Sequence, residues 1–219
     1  PGEPAQLHAR IALVTVPAGV LQANAHDGGM AFDPQLPASK CAALEKILSG
    51  DVVKVVLLFR TAFWENVHAG RYRDAGFFRC ERTPFAVYWT QLPVRTELVV
   101  AWRGGPGATA LRGVSADELI ERARDGFGSM LGADAEARAE FQTGFTHDWG
   151  ADPYARGAYS YVAVGGEDAR AALAQPVDET LFFAGEATST DGQGGTVNGA
   201  LETGERAAWE VLRCLKRRS

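Results

Sequence analysis

Thr180-Leu-Phe-Phe-Ala-Gly-Glu186 leads through Gly192-Gln-Gly-Gly195-Thr-Val-Asn-Gly199 into a long amphipathic segment. The apolar run reads as a short buried strand, and it delivers a carboxylate, Glu186, at its C-terminal end. The glycine-rich turn then brings backbone N–H groups and a helix N-terminus to the same place. Helix N-termini favour anionic or electron-rich groups, because their first amides lack acceptors within the helix. A carboxylate beside them accepts hydrogen bonds from hydroxyls, as acidic residues do with ribose in dinucleotide folds. The same pattern also suits a tight strand–helix connection with a capping acid, and the residues alone leave both open. In the helix, Ala200, Gly204, Ala208, Val211 and Leu215 share a face whose small residues predict close backbone approach. Lys216, Arg217 and Arg218 lie at the negative end of its dipole.

Upstream, the pattern predicts α+β architecture. Arg10 to Val16 reads as a buried strand, closed by Pro17 and Gly19. Few residues precede it, so it is expected to lack a neighbour on one side. Ser39 to Leu48 reads as a helix with Leu44, Ile47 and Leu48 on one face. Val52 to Phe59 is a strongly apolar strand. Further extended candidates follow at Gly76 to Cys80, Phe85 to Gln91 and Glu97 to Trp102. Their connections are too short for crossover helices, which predicts an antiparallel sheet. Ser115-Ala-Asp-Glu118 is a capping box opening a helix to Leu131. Arg138 to Phe145 and Gly157 to Val164 read as strands.

Of 219 residues, 46% are hydrophobic and 22% charged, which excludes a disordered polymer, a coiled coil and a collagen. The net charge of −5 is without the basic stripe of a nucleic-acid binder, so no nucleic acid is expected as partner. No apolar run reaches the ~18–20 residues of a membrane helix, so no membrane is expected either. Cys41, Cys80 and Cys214 are odd in number and far apart. They suggest neither a disulfide framework nor a metal site, and a reducing, cytoplasmic location is expected. The four histidines form no ligand spacing. The chain opens on Pro1, as expected of a processed or truncated chain or one made for expression.

Lys54 lies inside Val52-Val-Lys-Val-Val-Leu-Leu-Phe59, on one face with Val52, Val56 and Leu58. Were both faces buried, its ammonium would be desolvated and its pKa would fall. At an edge it would reach water by snorkelling, which the residues alone favour. Trp149, Tyr154, Tyr159 and Tyr161 gather within thirteen residues. Aromatic walls suit flat rings and cations, but alternation along a strand reads as core packing. Gly105-Pro-Gly107-Ala-Thr-Ala110 fits a loose GxGxxA. It sits among antiparallel candidates without an immediate helix, so a hairpin or loop is expected rather than a dinucleotide fingerprint.

Five of these blocks, in order, resemble the flavin-containing amine oxidases: monoamine oxidases, polyamine oxidases and flavin-dependent histone demethylases. Val14-Thr-Val-Pro17-Ala-Gly-Val-Leu21 is similar to the family's TVPLGVL segment. Gly50-Asp-Val-Val-Lys54-Val with Phe63-Trp64 resembles the stretch holding its active-site lysine. Trp149-Gly-Ala-Asp-Pro-Tyr154-Ala-Arg-Gly-Ala-Tyr-Ser-Tyr161 resembles WxxDPYxRGSYSY. Phe182 to Ser189, and Gly195-Thr-Val-Asn-Gly-Ala200 with Thr203 to Ala208, resemble the C-terminal flavin-binding block.

The resemblance implies a role for each residue. Lys54 would be catalytic, holding a water near flavin N5. Glu186, beside Gly185, would bind the ribityl and pyrophosphate part of FAD. Thr196 and Val197, after Gly195, would lie against the flavin. Tyr159 would wall the substrate pocket, with Trp149 lining the same region. Ala158 stands where monoamine oxidases carry a cysteine bonded to flavin, so FAD is expected to be non-covalent. Thr196 replaces their second cage tyrosine, which points to the polyamine-oxidase and demethylase branch or a bacterial relative. Asn198 replaces the usual histidine.

The family's opening GxGxxG strand unit and its acidic residue do not occur in this sequence. The expected architecture is therefore an antiparallel-rich substrate domain flanked by helices, at 22–148. A strand at 1–21 and a strand–loop–helix at 149–219 would belong to a Rossmann-like FAD domain. The implied function is the C-terminal portion of an FAD-dependent amine oxidase, with an amine and O2 as small-molecule partners. It would act with a missing N-terminal Rossmann half, and be inactive alone. An exposed sheet edge would recruit that half or self-associate. The alternatives are a flavin-free interaction module, or an amino-acid oxidase or desaturase of the same superfamily.

Overall fold

The computed structural model describes residues 6–218. Residues 1–5 of the expected first segment, and residue 219, lie outside it. In chain order the elements are β1 (Ala12–Val14), α1 (Ala18–Gln22), α2 (Ala38–Lys46), β2 (Ile47–Ser49), β3 (Val52–Phe59), β4 (Phe77–Arg79), β5 (Val87–Trp89) and β6 (Leu98–Gly104). Then follow α3 (Pro106–Thr109), α4 (Ala116–Leu131), α5 (Asp134–Glu140), β7 (Phe141–Thr146), β8 (Ser160–Val162), α6 (Ala169–Ala174), β9 (Leu181–Phe183) and α7 (Val197–Arg217). The chain forms two compact units, residues 1–50 with 150–219, and residues 51–149. No helix among the described residues is long and apolar enough to cross a membrane.

Residues 51–149 contain the expected antiparallel sheet, in the order β4-β5-β6-β3-β7. Strand alternation puts Val55, Leu57 and Phe59 of β3 on one face with Val99 and Ala101 of β6, all fully buried. Helix α4 covers that face with Leu119, Ala123, Phe127 and Leu131. It starts as the sequence predicts: Ser115 Oγ accepts from the Glu118 amide at 3.3 Å. The reciprocal half of the box is replaced, because the Glu118 carboxylate pairs with Arg122 one turn on. Gly126 has a packing reason. A Cβ there would lie 2.5 Å from the Tyr88 hydroxyl, which donates to Ala123 O at 3.2 Å. Burial pushes the Tyr88 phenol pKa up.

Two expectations change in this unit. Residues 134–140 are helix, and the strand begins only at Phe141. Asp134-Ala-Glu-Ala-Arg-Ala-Glu140 alternates Ala with charge, which mimics a strand period, but these residues are strong helix formers with an acidic first turn. Residues 106–109 form a short helix rather than a hairpin or loop. The dinucleotide fingerprint is still excluded there, because β6 pairs antiparallel with both β5 and β3.

In the other unit, β1 pairs parallel with β9, with Val14 opposite Phe183, and β2 pairs antiparallel with β8. Val14, Ala43, Leu44, Ile47, Leu173 and Phe183 form its core. The expected buried strand at 10–16 shortens to three residues, of which only Val14 is buried and Leu13 is 44% exposed. Helix α2 stops at Lys46, because Ile47 to Ser49 pair with residues 160–162. The strand expected over 157–164 narrows likewise to Ser160–Val162. The buried stripe of α7 is Gly199, Thr203, Ala207 and Cys214, one position off the expected face, and Ala208 is exposed. Close backbone approach occurs at Gly199, where a Cβ would lie 2.2 Å from Gln193 O.

Candidate functional site

Strands β1 and β9 are parallel, so their C-terminal ends open on the same side, where α/β proteins bind ligands. A cavity of about 310 Å³ lies there. Val14, Phe183, Glu186, Ala158, Tyr159 and Ala200 are among its walls. Its volume is at the lower end of the ~300–1,000 Å³ typical of small-molecule sites.

Glu186 follows β9 directly. Its Oε1 accepts from the Ser160 amide at 3.0 Å. Its Oε2 accepts from Ser160 Oγ at 2.8 Å and from the Gly195 amide at 2.5 Å. Arg170 approaches the same oxygen at 3.6 Å, and also donates to Glu186 O at 2.9 Å and Ser160 O at 3.1 Å. A carboxylate offers about four lone-pair sites. Oε1 thus uses one of its two, and the side chain is 25% exposed. The strand, the glycine loop and α6 thus meet on a single side chain.

Gly185, one residue before, donates its amide to Thr203 Oγ1 at 3.0 Å, which anchors the strand end to α7. Gly195 has φ +77°, and a Cβ there would lie 3.4 Å from Ser160 O. Thr196 is the N-cap of α7: its Oγ1 accepts from the Gly199 amide at 3.0 Å and donates to Gln193 O at 2.7 Å. Val197 opens the helix and is 76% exposed. Tyr159 borders the cavity and is 48% exposed. The core-packing expectation for its neighbours fails, because Trp149, Tyr154 and Tyr161 are also exposed.

Glu186, Gly185, Gly195, Thr196, Val197 and Tyr159 all lie in the unit with the cavity. Lys54 and Trp149 belong to residues 51–149. Lys54 is exposed on β3, opposite Trp102 of β6. Its side chain reaches solvent although β3 lies between β6 and β7, so the edge position favoured for it does not occur. Its Nζ lies 5.5 Å from the Trp89 ring centroid, within reach of a cation–π attraction. Trp149 meets the His147 ring edge-on at 4.5 Å.

Sequence reasoning missed Ser160, Arg170 and Thr203. The arginine gave a signal, as the one charge within Ala169-Arg-Ala-Ala-Leu-Ala174. The two hydroxyls lie inside blocks that carry the family resemblance, Ser160 within Trp149 to Tyr161 and Thr203 at the head of Thr203 to Ala208.

The residues present suit a flavin. The cavity sits at strand C-termini, a part-exposed carboxylate borders it, and a glycine loop runs into the N-terminus of a long helix. The profile of the flavin containing amine oxidoreductase family matches residues 2–212. Lysine-specific histone demethylase 1 homolog 3 of Arabidopsis thaliana is 36% identical over 212 residues, covering 93% of this chain and 12% of that protein. Polyamine oxidase 4 of Oryza sativa subsp. japonica is 34% identical over 209 residues, covering 94% and 39%. Putrescine oxidase bound to putrescine matches with a TM-score of 0.71 at 22% identity, over 92% of this chain and 42% of that one, which is a likeness of fold. The chain thus spans less than half the length of each. By the profile match along nearly all of its residues, the chain belongs to the flavin containing amine oxidoreductase family.

Proposed function

We propose that this chain carries part of the FAD site and part of the substrate site of an amine oxidase, and that FAD is held without a covalent bond. The observation that carries the proposal is Glu186, placed at the end of β9 in the cavity wall with its side chain 25% exposed. When bound, FAD supplies the two-electron chemistry that turns an amine into an imine, with O2 as the final acceptor leaving as H2O2. Glu186 would accept a hydrogen bond from a hydroxyl of that cofactor. Gly195 keeps the loop close to Ser160, and Thr196 fixes the start of α7, so that its first amides and positive dipole end face an electron-rich edge. Tyr159 offers a flat apolar wall to the amine. Lys54 is the proposed catalytic residue: its ammonium orders a water and favours negative charge as it develops. Trp149 is assigned to the substrate pocket on the resemblance alone. Ala158 borders the cavity and has no nucleophile, in keeping with non-covalent binding.

The test is a visible spectrum of the purified protein after mixing with FAD and desalting. The expected result is a retained flavin band, released to the supernatant by acid precipitation and lost in Glu186→Gln. A flavin band retained equally by Glu186→Gln would overturn the assignment of Glu186 to FAD, and a colourless wild-type protein would mean that the part of the site carried here does not retain FAD by itself. A band that stays with the acid precipitate would overturn non-covalent binding.

A further inference from the structure

Lys40 is the least expected residue of the cavity unit. It lies on the inner face of α2 beside Ala43 and Leu44 and is 2% exposed. A buried ammonium must have its donors satisfied, and here they are. Nζ donates to Ala172 O at 3.2 Å, Leu173 O at 2.7 Å and Gln175 O at 2.5 Å. Those carbonyls belong to the C-terminal end of α6, where a helix has free acceptors and a negative dipole end. On its remaining side the ammonium lies 3.9 Å from the Phe183 ring centroid. Leu173 and Phe183 are both 1% exposed and both border the cavity. Lys40 therefore grips the back of two cavity walls at once.

Helix α6 has only six residues, about 9 Å of rod. Its second residue is Arg170, which donates to Glu186 O and Ser160 O. A helix this short has little stability of its own. Its position depends on the burial of Ala169, Leu173 and Ala174 and on what holds its two ends: Lys40, with Arg206 at 3.5 Å from Ala174 O, at one, and the Arg170 contacts at the other.

We propose that Lys40 is a positioning residue for the flavin site: by fixing the C-terminal end of α6 and the Phe183 ring, it holds Arg170 where it clamps Glu186 to Ser160. The link to flavin rests on the function proposed above; the link to Glu186 does not.

The test uses the whole chain, first without flavin, by amide hydrogen exchange. In Lys40→Met, the Ser160 and Gly195 amides, which donate to Glu186, are expected to lose protection at least tenfold, together with α6. The Ala184 amide, bonded to Val14 O, and the mid-helix amides of α7 should stay within twofold. Arg170→Met should expose the same Ser160 and Gly195 amides. Adding it to Lys40→Met should change them by no more than a further twofold, since both act through one helix. Should Lys40→Met fail to fold, Lys40→Gln, with two donors and no charge, is read on the same amides and should show a smaller loss of the same pattern. Unchanged Ser160 and Gly195 protection, a uniform loss through the unit, or additive effects of the two substitutions would each overturn the proposal. With FAD, the Lys40 variant should bind about tenfold more weakly by flavin fluorescence titration. Wild type that binds no FAD removes the link from Lys40 to flavin in this chain and leaves the exchange result standing. FAD binding unaltered by the variant removes the Lys40 proposal alone.

Discussion

Around Phe127, in residues 51–149, five aromatic rings lie with centroids 5.3 to 6.1 Å away: Phe59, Phe63, Trp64, Phe78 and Tyr88. Around Glu186, in the other unit, the neighbours are two amides, a hydroxyl and a guanidinium. The first centre is held by burial, which is non-directional and grows with area. The second is held by hydrogen bonds, whose directions fix the positions of backbone loops. Under the proposed function this unit presents a carboxylate and a glycine turn to a ligand, and it cannot then cover them with apolar packing. It locates them by polar tethers from behind: Arg170, Thr203 and Lys40. The largest effects are therefore expected from volume in one unit, and smaller, directional ones from hydrogen bonds in the other.

Phe127→Ala is the strongest way to test the first half. Phe127 is fully buried, and its loss leaves a cavity between α4 and the sheet. The expected cost is about 3–5 kcal/mol, read as a drop in the urea midpoint at constant slope. A cost under about 1 kcal/mol would show that the ring cluster collapses to fill the space, and the contrast between the units would weaken.

Lys40 tests the second half through pH. Burial and the nearby Arg206 push its pKa down from 10.5 to about 8, while Glu210 pushes it up. The facing charges are that Arg206–Glu210 pair on α7, joined at 2.9 Å; Arg170 on α6 is turned to Glu186, and β9 carries no charge. Below about pH 8 the group is protonated in both states, so the cost of burying it is fully present. Between about pH 8 and 10.5 the folded chain releases the proton while the unfolded chain keeps it, and stability rises with pH. The rise attributable to Lys40 is about 3 kcal/mol at most. It is the wild-type stability gain from pH 7.5 to 10 minus that of Lys40→Met, by urea unfolding. A difference of zero, or of opposite sign, would mean that the ammonium is not desolvated.

How much of this was legible in the sequence divides along the same line. The segment from β9 to α7 could be read because its apolar run, glycines and helical period are local. Helix α4 could be read for the same reason. Residues 134–140 could not, because alternating Ala and charge fits a strand and a helix alike. Ile47 to Ser49 became a strand only because residues 160–162 pair with it. Lys40 was invisible: its carbonyl acceptors lie 132 to 135 residues away, and no local rule connects them. The face of α7 was misplaced by one residue for a related reason. Its buried side is chosen by Gly185, through Thr203, and not by the apolar count along the helix.

That choice makes Thr203→Val the next test. The change keeps shape and removes the hydroxyl that accepts from the Gly185 amide. The hydroxyl also lies 3.1 and 3.0 Å from Gly185 O and Ala200 O, as donor. Leaving a part-buried amide without its acceptor costs about 1–3 kcal/mol. A loss in that range, with faster exchange at Gly185, is expected. Valine tolerated at no cost would mean that packing alone seats α7 against β9.

The smallest effect returns to the aromatic unit and asks whether a hydrogen bond matters less there. Ser115→Ala removes the N-cap acceptor of α4, which takes the Glu118 amide at 3.3 Å. N-cap removal costs ~1 kcal/mol as a rule, with a range of about 0.5–2. Here the low end is expected, for two reasons. The bond is long, and the cap is exposed, so water can replace the lost oxygen. Helix α4 is moreover fixed along its length by Leu119, Ala123, Phe127 and Leu131, so fraying of its first turn does not move the core. The measurement is the same urea midpoint, at neutral pH, where a shift smaller than that of Thr203→Val is predicted. A larger shift would mean that the start of α4 is needed to seat Leu119 and the rings beyond it. The unit held by burial would then depend on a directional contact as much as the unit built around Glu186 does.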